Sequence, residues 1–232
     1  MKNRLKIMLG ILLVGSLTGC TGNFEEYNTD PYAPQEPDPT MLLPTMIDAM
    51  MYVQQNDSQM VDQMVGTLGG YFTLSNRWGG QNFDTFNPSA DWNQGPYNTM
   101  FLDIYGNLFE IEELSQGSGH WMAIANLIRA AVMIRVADIY GPIPYSQVMK
   151  GLMYVPYDTN EEVYKNITAH LQNSASTLYS YAQTYPSSKP MGSSDPIYAG
   201  DYALWARLAN SLTLRVAIRT NDKESALQAI AH

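Results

Sequence analysis

The apolar residues of this chain recur mostly at helical spacing. From Thr40 onward, Leu42, Leu43, Met46, Ile47, Met50 and Met51 fall at steps of three and four, which predicts an amphipathic helix. Pro44 is compatible with that helix as a residue of its first turn. Met60, Val61, Met64, Val65 and Leu68 predict a second helix from about Ser58 to Gly69. A third is predicted over Tyr97 to Leu114. A fourth runs from Ser118 or Gly119 to Tyr140, where Gly141-Pro142 ends it. Thr159-Asn160-Glu161-Glu162 is a capping box that opens a fifth, which reaches about Tyr181. A sixth runs from Asp201 to Arg219, and Asn221-Asp222-Lys223-Glu224 reads as another capping box, opening a seventh. No segment offers the period-2 alternation of a strand ladder. The fold class is therefore all-α.

Four segments depart from this pattern. Lys2, Arg4 and Lys6 precede an apolar stretch from Ile7 to Leu17, which is shorter than the roughly 20 residues a membrane-spanning helix needs. It reads as a secretory signal over residues 1–19. The stretch ends Leu17-Thr18-Gly19-Cys20, an aliphatic residue and two small residues before the single cysteine of the chain. That arrangement is similar to a bacterial lipobox, with Cys20 as the lipid-attachment residue and palmitate among its acyl chains. Residues 20–39 read as an extended tether, because the run Asn28 to Pro39 holds four prolines. Residues 70–96 keep no helical pattern, and Tyr185 to Gly200 is a second loop rich in Pro, Ser and Gly. The remaining domain spans 40–232. Its fourth, fifth and sixth helices begin about 41 residues apart, a spacing similar to that of TPR-like helical hairpins, although the strict TPR consensus is absent.

Composition narrows the function. Hydrophobic residues make up 45% of the 232 and charged residues only 15%, so disorder is excluded and polar surface must come from hydroxyls and amides. Sixteen of the aromatic residues are tyrosine. The net charge is −9, which disfavours nucleic acid as a partner. Cleavage before Cys20 removes three basic residues and no acidic one, taking the charge to −12. One cysteine excludes a disulfide framework.

Catalytic signals are weak. His120, His170 and His232 share no metal-ligand spacing, and no nucleophile elbow, phosphate loop or dinucleotide fingerprint is present, so no metal or cofactor is expected. Glu25 and Glu26 fall in the tether. Glu110, Glu112 and Glu113 fall on a helix, and Glu161 and Glu162 in a helix first turn that favours them. A glycosidase needs paired carboxyls across a cleft, and none is indicated. In the fourth helix, Arg129, Arg135 and Asp138 lie among apolar residues. Asp138 is near the C-terminus, where the dipole disfavours a carboxylate, so it is expected to pair with Arg135, Arg207 or Arg215. The richest candidate is the aromatic loop. It carries Tyr71, Trp78 and Trp92 among Asn76, Arg77, Asn82 and Asp84, and its rings and amides suit the C–H faces and hydroxyls of a sugar. A loop of this length must also bury some of its own rings.

Several segments carry a family resemblance. After the lipobox, Asn23-Phe24-Glu25-Glu26-Tyr27-Asn28-Thr29-Asp30-Pro31 resembles the post-anchor segment of the SusD/RagB nutrient-binding outer-membrane lipoproteins of Bacteroidota. Ala137-Asp138-Ile139-Tyr140-Gly141-Pro142-Ile143-Pro144-Tyr145-Ser146 is very similar to a second family motif. Trp205 to Leu212 with Leu214-Arg215, and the helix carrying Tyr164, Ile167 and Leu171, add to it. The resemblance implies a non-catalytic lipoprotein, exposed on the cell surface, that captures a glycan or other nutrient. It implies a partner, a SusC-like TonB-dependent transporter. It also implies a chain much longer than this one, with a C-terminal half beyond His232. Two other readings stay open: a helical scaffold or adhesin without a small ligand, and a surface glycan hydrolase.

Overall fold

The computed structural model describes residues 23–29, 37–50, 65–73, 75 and 83–231. The signal segment, Cys20 and most of the predicted second helix lie outside the described residues. Within them the protein is helical, with an isolated bridge of strand type between Ile143 and Asp158.

The chain divides into residues 1–37 and 38–232. The described part of the first unit is a short helix, α1 (Phe24–Asn28), whose last side chain donates back to the Phe24 carbonyl at 2.7 Å. The extended reading of the tether is corrected at Phe24–Asn28, while residues 30–36 lie outside the described residues. The prolines begin only at Pro31, so the five residues before them retain the N–H groups a helical turn needs.

The second unit opens with α2 (Pro39–Met50). Asp38 accepts the Thr40 N–H at 2.7 Å, and Pro39 takes the first helical position, where its missing N–H is no loss. Pro44 therefore lies in the second turn and not in the first, a correction to the predicted register. Leu43, Met46, Ile47 and Ala49 are buried.

α3 (Ala90–Ser115) starts seven residues earlier than its pattern predicts. Ser89 caps it, accepting the Trp92 N–H at 3.2 Å, and Asp91 sits in the first turn, where the dipole favours it. The cap lies before Pro96, and the helix continues through it with the ring buried. Met100, Ile104, Leu108 and Ile111 form its buried stripe.

α4 (Gly119–Tyr140) matches its predicted bounds. It is buried almost continuously from Ala123 to Ala137 and packs against α2 and α3 and the next two helices, α5 (Asn160–Thr184) and α6 (Tyr202–Thr220). A helix that is apolar on most sides is the centre of a bundle. The capping box predicted for α5 is present: Thr159 accepts the Glu162 N–H while Glu162 accepts the Thr159 N–H at 2.8 Å. Asp201 caps α6. Asn221, in the left-handed region at φ 56°, ends α6, and Asp222 caps α7 (Lys223–Ile230) by accepting from the Ser225 N–H. The cap of α7 is thus Asp222 with Ser225, one residue later than predicted.

Each of α3 to α7 packs chiefly on its sequence neighbours around one continuous core. The two- and three-residue links at 116–118 and 221–222 force the chain to reverse, which makes stacked helical hairpins. Among the described residues no helix is long and apolar enough to cross a membrane.

Candidate functional site

The aromatic loop meets the helices at the start of α3. Thr73 donates to Asp84 at 2.8 Å, tying the segment at 71–73 to the turn at 83–86. The Phe83 ring is buried and lies 6.4 Å from that of Trp92 in the first turn of α3. One turn further on, Tyr97 stacks on Phe101 at 4.6 Å and meets Tyr140 edge-on at 5.2 Å. Its hydroxyl lies 3.4 Å from that of Tyr157, and burial together with that neighbour raises its pKa. Tyr140 donates to the Asn93 carbonyl at 2.9 Å, which fixes the end of α4 against the start of α3.

These contacts leave aromatic rings and amides side by side on the surface. Trp92 and Tyr97 are half-buried, while Asn93, Gln94 and Asn98 on the same helix are exposed. Tyr71, Phe72 and Phe86 are exposed as well. Of the predicted ligand residues, Trp92 and Asp84 are brought together through Phe83 and the turn that carries it, and Tyr71 lies two residues from the Thr73 anchor. Asn76, Arg77, Trp78 and Asn82 lie outside the described residues.

The loop from Gly141 to Asp158 borders this surface. Gly141, at φ 83°, ends α4 in a conformation that favours glycine. Asp158 then gathers the loop's base: it accepts from the N–H groups of Tyr145 at 2.8 Å and Ser146 at 2.7 Å, and from the Ser146 hydroxyl at 2.6 Å. Although burial opposes ionisation, these bonds hold its carboxyl below the usual range. The tip, Leu152 to Tyr154, is exposed, as is Tyr157. Tyr157, whose hydroxyl meets that of Tyr97, and the exposed tip were not singled out from the sequence. The available signal was an apolar run confined between two helix caps.

The motif around Asp138 is a clasp. Asp138 accepts from Tyr164 of α5 at 2.6 Å and pairs with Arg219 of α6. Burial, and then this bond, push the Tyr164 hydroxyl up to about 12. The predicted partners are corrected: Arg135 instead donates to the Met50 carbonyl at 3.1 Å, at the end of α2, and Arg207 and Arg215 are exposed on α6. Within the same motif, Gly141 turns the chain, Pro144 is half-buried, and Tyr140 and Tyr145 anchor to α3 and α5.

Arg129 is buried, and among the described residues no carboxylate lies within ion-pair distance of it. The Tyr145 ring lies 4.5 Å from its guanidinium and the Tyr105 ring 5.9 Å. The guanidinium lies 2.7 Å from His170 Nδ1 and 3.2 Å from its Nε2, and the Tyr145 hydroxyl lies 2.9 Å from Nδ1. An arginine can only donate, so the ring nitrogen that meets it is an unprotonated one. Burial, aided by the Arg129 charge, pushes the His170 pKa down to about 4. His120 lies 3.1 Å from the Tyr202 hydroxyl among the rings of Trp121, Tyr181 and Tyr202. Among the described residues no three metal-ligating side chains converge.

Stacked helical hairpins around one continuous core define a TPR-like all-α protein. The chain belongs to the SusD-like family, described as SusD and RagB outer membrane lipoproteins, which matches residues 26–231. A SusD-like protein from Bacteroides thetaiotaomicron is 29% identical, with a TM-score of 0.77 over 84% of this chain and 42% of its own. A SusD homologue from Bacteroides uniformis is 33% identical, with a TM-score of 0.74 over 88% of this chain and 42% of its own. A chitin-binding SusD homologue from Flavobacterium johnsoniae, 24% identical, shares the fold at a TM-score of 0.74, covering 84% of this chain and 42% of its own. The chain thus spans about two-fifths of the length of these structures. A search among curated proteins returns no match.

Proposed function

We propose that this protein captures a nutrient, an oligosaccharide, at the cell surface and passes it to a SusC-like TonB-dependent transporter of the outer membrane. The observation that carries this reading is the row of rings and amides along the start of α3, where Trp92 and Tyr97 alternate with exposed Asn93, Gln94 and Asn98. A ring face packs on the C–H face of a pyranose, and planar amides bond its hydroxyls. Family membership supports the same reading, and a chitin-binding protein of this fold makes polysaccharide recognition compatible with the architecture. Trp78, Asn76, Arg77 and Asn82 complete the site together with Tyr71 and Asp84. Cys20 carries the lipid anchor, and Cys20→Ser then releases the protein from the membrane fraction. The role is one of binding without turnover.

Titration of the protein with a panel of neutral oligosaccharides tests the proposal. At least one ligand is expected to bind, and Trp92→Ala is expected to weaken it about tenfold, the value of one ring contact. Absence of binding across the panel, or wild-type affinity in both Trp78→Ala and Trp92→Ala, refutes the site. Co-purification with a large outer-membrane barrel protein tests the transporter partnership separately.

A further inference from the structure

Away from the aromatic surface, a groove of about 540 Å³ runs between α5, α6 and α7. Ala175, Ala206 and Ala229 are buried in its lining, and Ala203 adds a fourth small side chain, so a ligand backbone can approach closely. Around these lie amides: Gln172, Gln183, Asn210 and Gln228. Gln172 donates to Gln228 Oε1 at 3.1 Å and to the Ser225 hydroxyl at 3.3 Å. That pairing holds an acceptor, Gln172 Oε1, beside a donor, Gln228 Nε2. An extended polypeptide presents the same alternation of N–H and C=O along its edge.

Charge adds a second constraint. Arg207 is the single ionic residue lining the groove, and no acidic residue joins it there. Among the described residues its guanidinium has no carboxylate within ion-pair distance, in a protein whose net charge is −9. A lone guanidinium among neutral amides is complementary to one carboxylate. A sugar site would place aromatic planes along the groove. Here the lining has one ring, Tyr179, which is 54% exposed.

We infer that this groove binds an extended peptide segment carrying one acidic side chain, with Arg207 taking the carboxylate and the Gln172–Gln228 pair taking the peptide edge. This site is separate from the oligosaccharide site proposed above and stands without it.

The test is selection of a display library of short random peptides on the full chain. The hits are resynthesised with their acidic residue as Asp or as Asn. Hits are expected to share an acidic residue. Replacing it by Asn is expected to weaken binding about tenfold, the value of one charge-assisted hydrogen bond. Arg207→Gln, at an exposed position that leaves the core untouched, is expected to weaken the Asp peptide equally and the Asn peptide hardly at all. No enrichment, hits without an acid, or hits that bind Arg207→Gln as they bind the wild type overturn the proposal. Displacement of the peptides by neutral oligosaccharides would make the groove a sugar site and overturn it too.

Discussion

Asp195 offers a sharp test of how the loop between α5 and α6 is held. The residue is 3% exposed, and its carboxylate accepts four hydrogen bonds. One oxygen receives the Ile197 N–H at 2.9 Å and the Tyr198 N–H at 3.1 Å. The other receives the Gly200 N–H at 2.8 Å and the indole N–H of Trp205 at 2.6 Å. Trp205 is fully buried, and Gly200, at φ 78°, stands so close to Lys189 and Gly192 that a Cβ there would meet the Gly192 nitrogen at 2.9 Å. The loop is therefore packed too tightly for water to replace the carboxylate easily. Asp195→Ala orphans two buried donors at about 1–3 kcal/mol each, so a loss of about 2–6 kcal/mol is expected. Asp195→Asn is nearly isosteric, yet its amide offers one acceptor oxygen, and its NH₂ would face two donors. It should cost about as much as alanine. Urea unfolding followed by far-ultraviolet circular dichroism measures both variants. If Asp195→Asn unfolds within about 1 kcal/mol of the wild type, the four-donor account is wrong and Asp195 serves only as packing.

Three further outcomes are expected. The folded pKa of His170 lies near 4, below its unfolded value of 6.5, so the unfolded chain binds the extra proton between those values. Stability should fall as pH drops from 6.5 to 4, by at most about 3 kcal/mol after partial exposure is considered, and His170→Gln should flatten that slope in a pH series of unfolding midpoints. Asp138→Asn should cost about 1–2 kcal/mol, and a double-mutant cycle with Tyr164→Phe should show coupling above about 0.5 kcal/mol, with zero coupling ruling out the clasp. Arg135→Met removes the donor at the end of α2, and hydrogen exchange of the last α2 turn should quicken while α5 and α6 are unchanged.

Helix ends were legible where a local device sets them. The Thr159 and Glu162 box and the Gly141-Pro142 stop act within a few residues, so reading them needs no neighbour in space. The start of α3 was misread because residues 90–96 carry no helical apolar pattern, while the cap that governs it, Ser89, lies just before them. The long Tyr-, Trp- and amide-bearing segment stood out by composition as a candidate site. Its neighbours Tyr140 and Tyr157 did not, because nothing local says that the end of α4 and the loop before α5 fold against α3.

The amino-acid sequence by itself determined the all-helical class, the hairpin order and the family, because apolar periodicity, caps and short motifs are encoded within one or two turns. Only the tertiary structure decided which charges meet. Asp138 found Arg219, 81 positions away, in place of the nearby Arg135, and Arg129 took two tyrosine rings and a neutral histidine in place of any described carboxylate. Partner choice of this kind is set by how helices cross. A side chain three residues away along the helix is near, but packing can draw it elsewhere, as the Met50 carbonyl at the end of α2 draws Arg135.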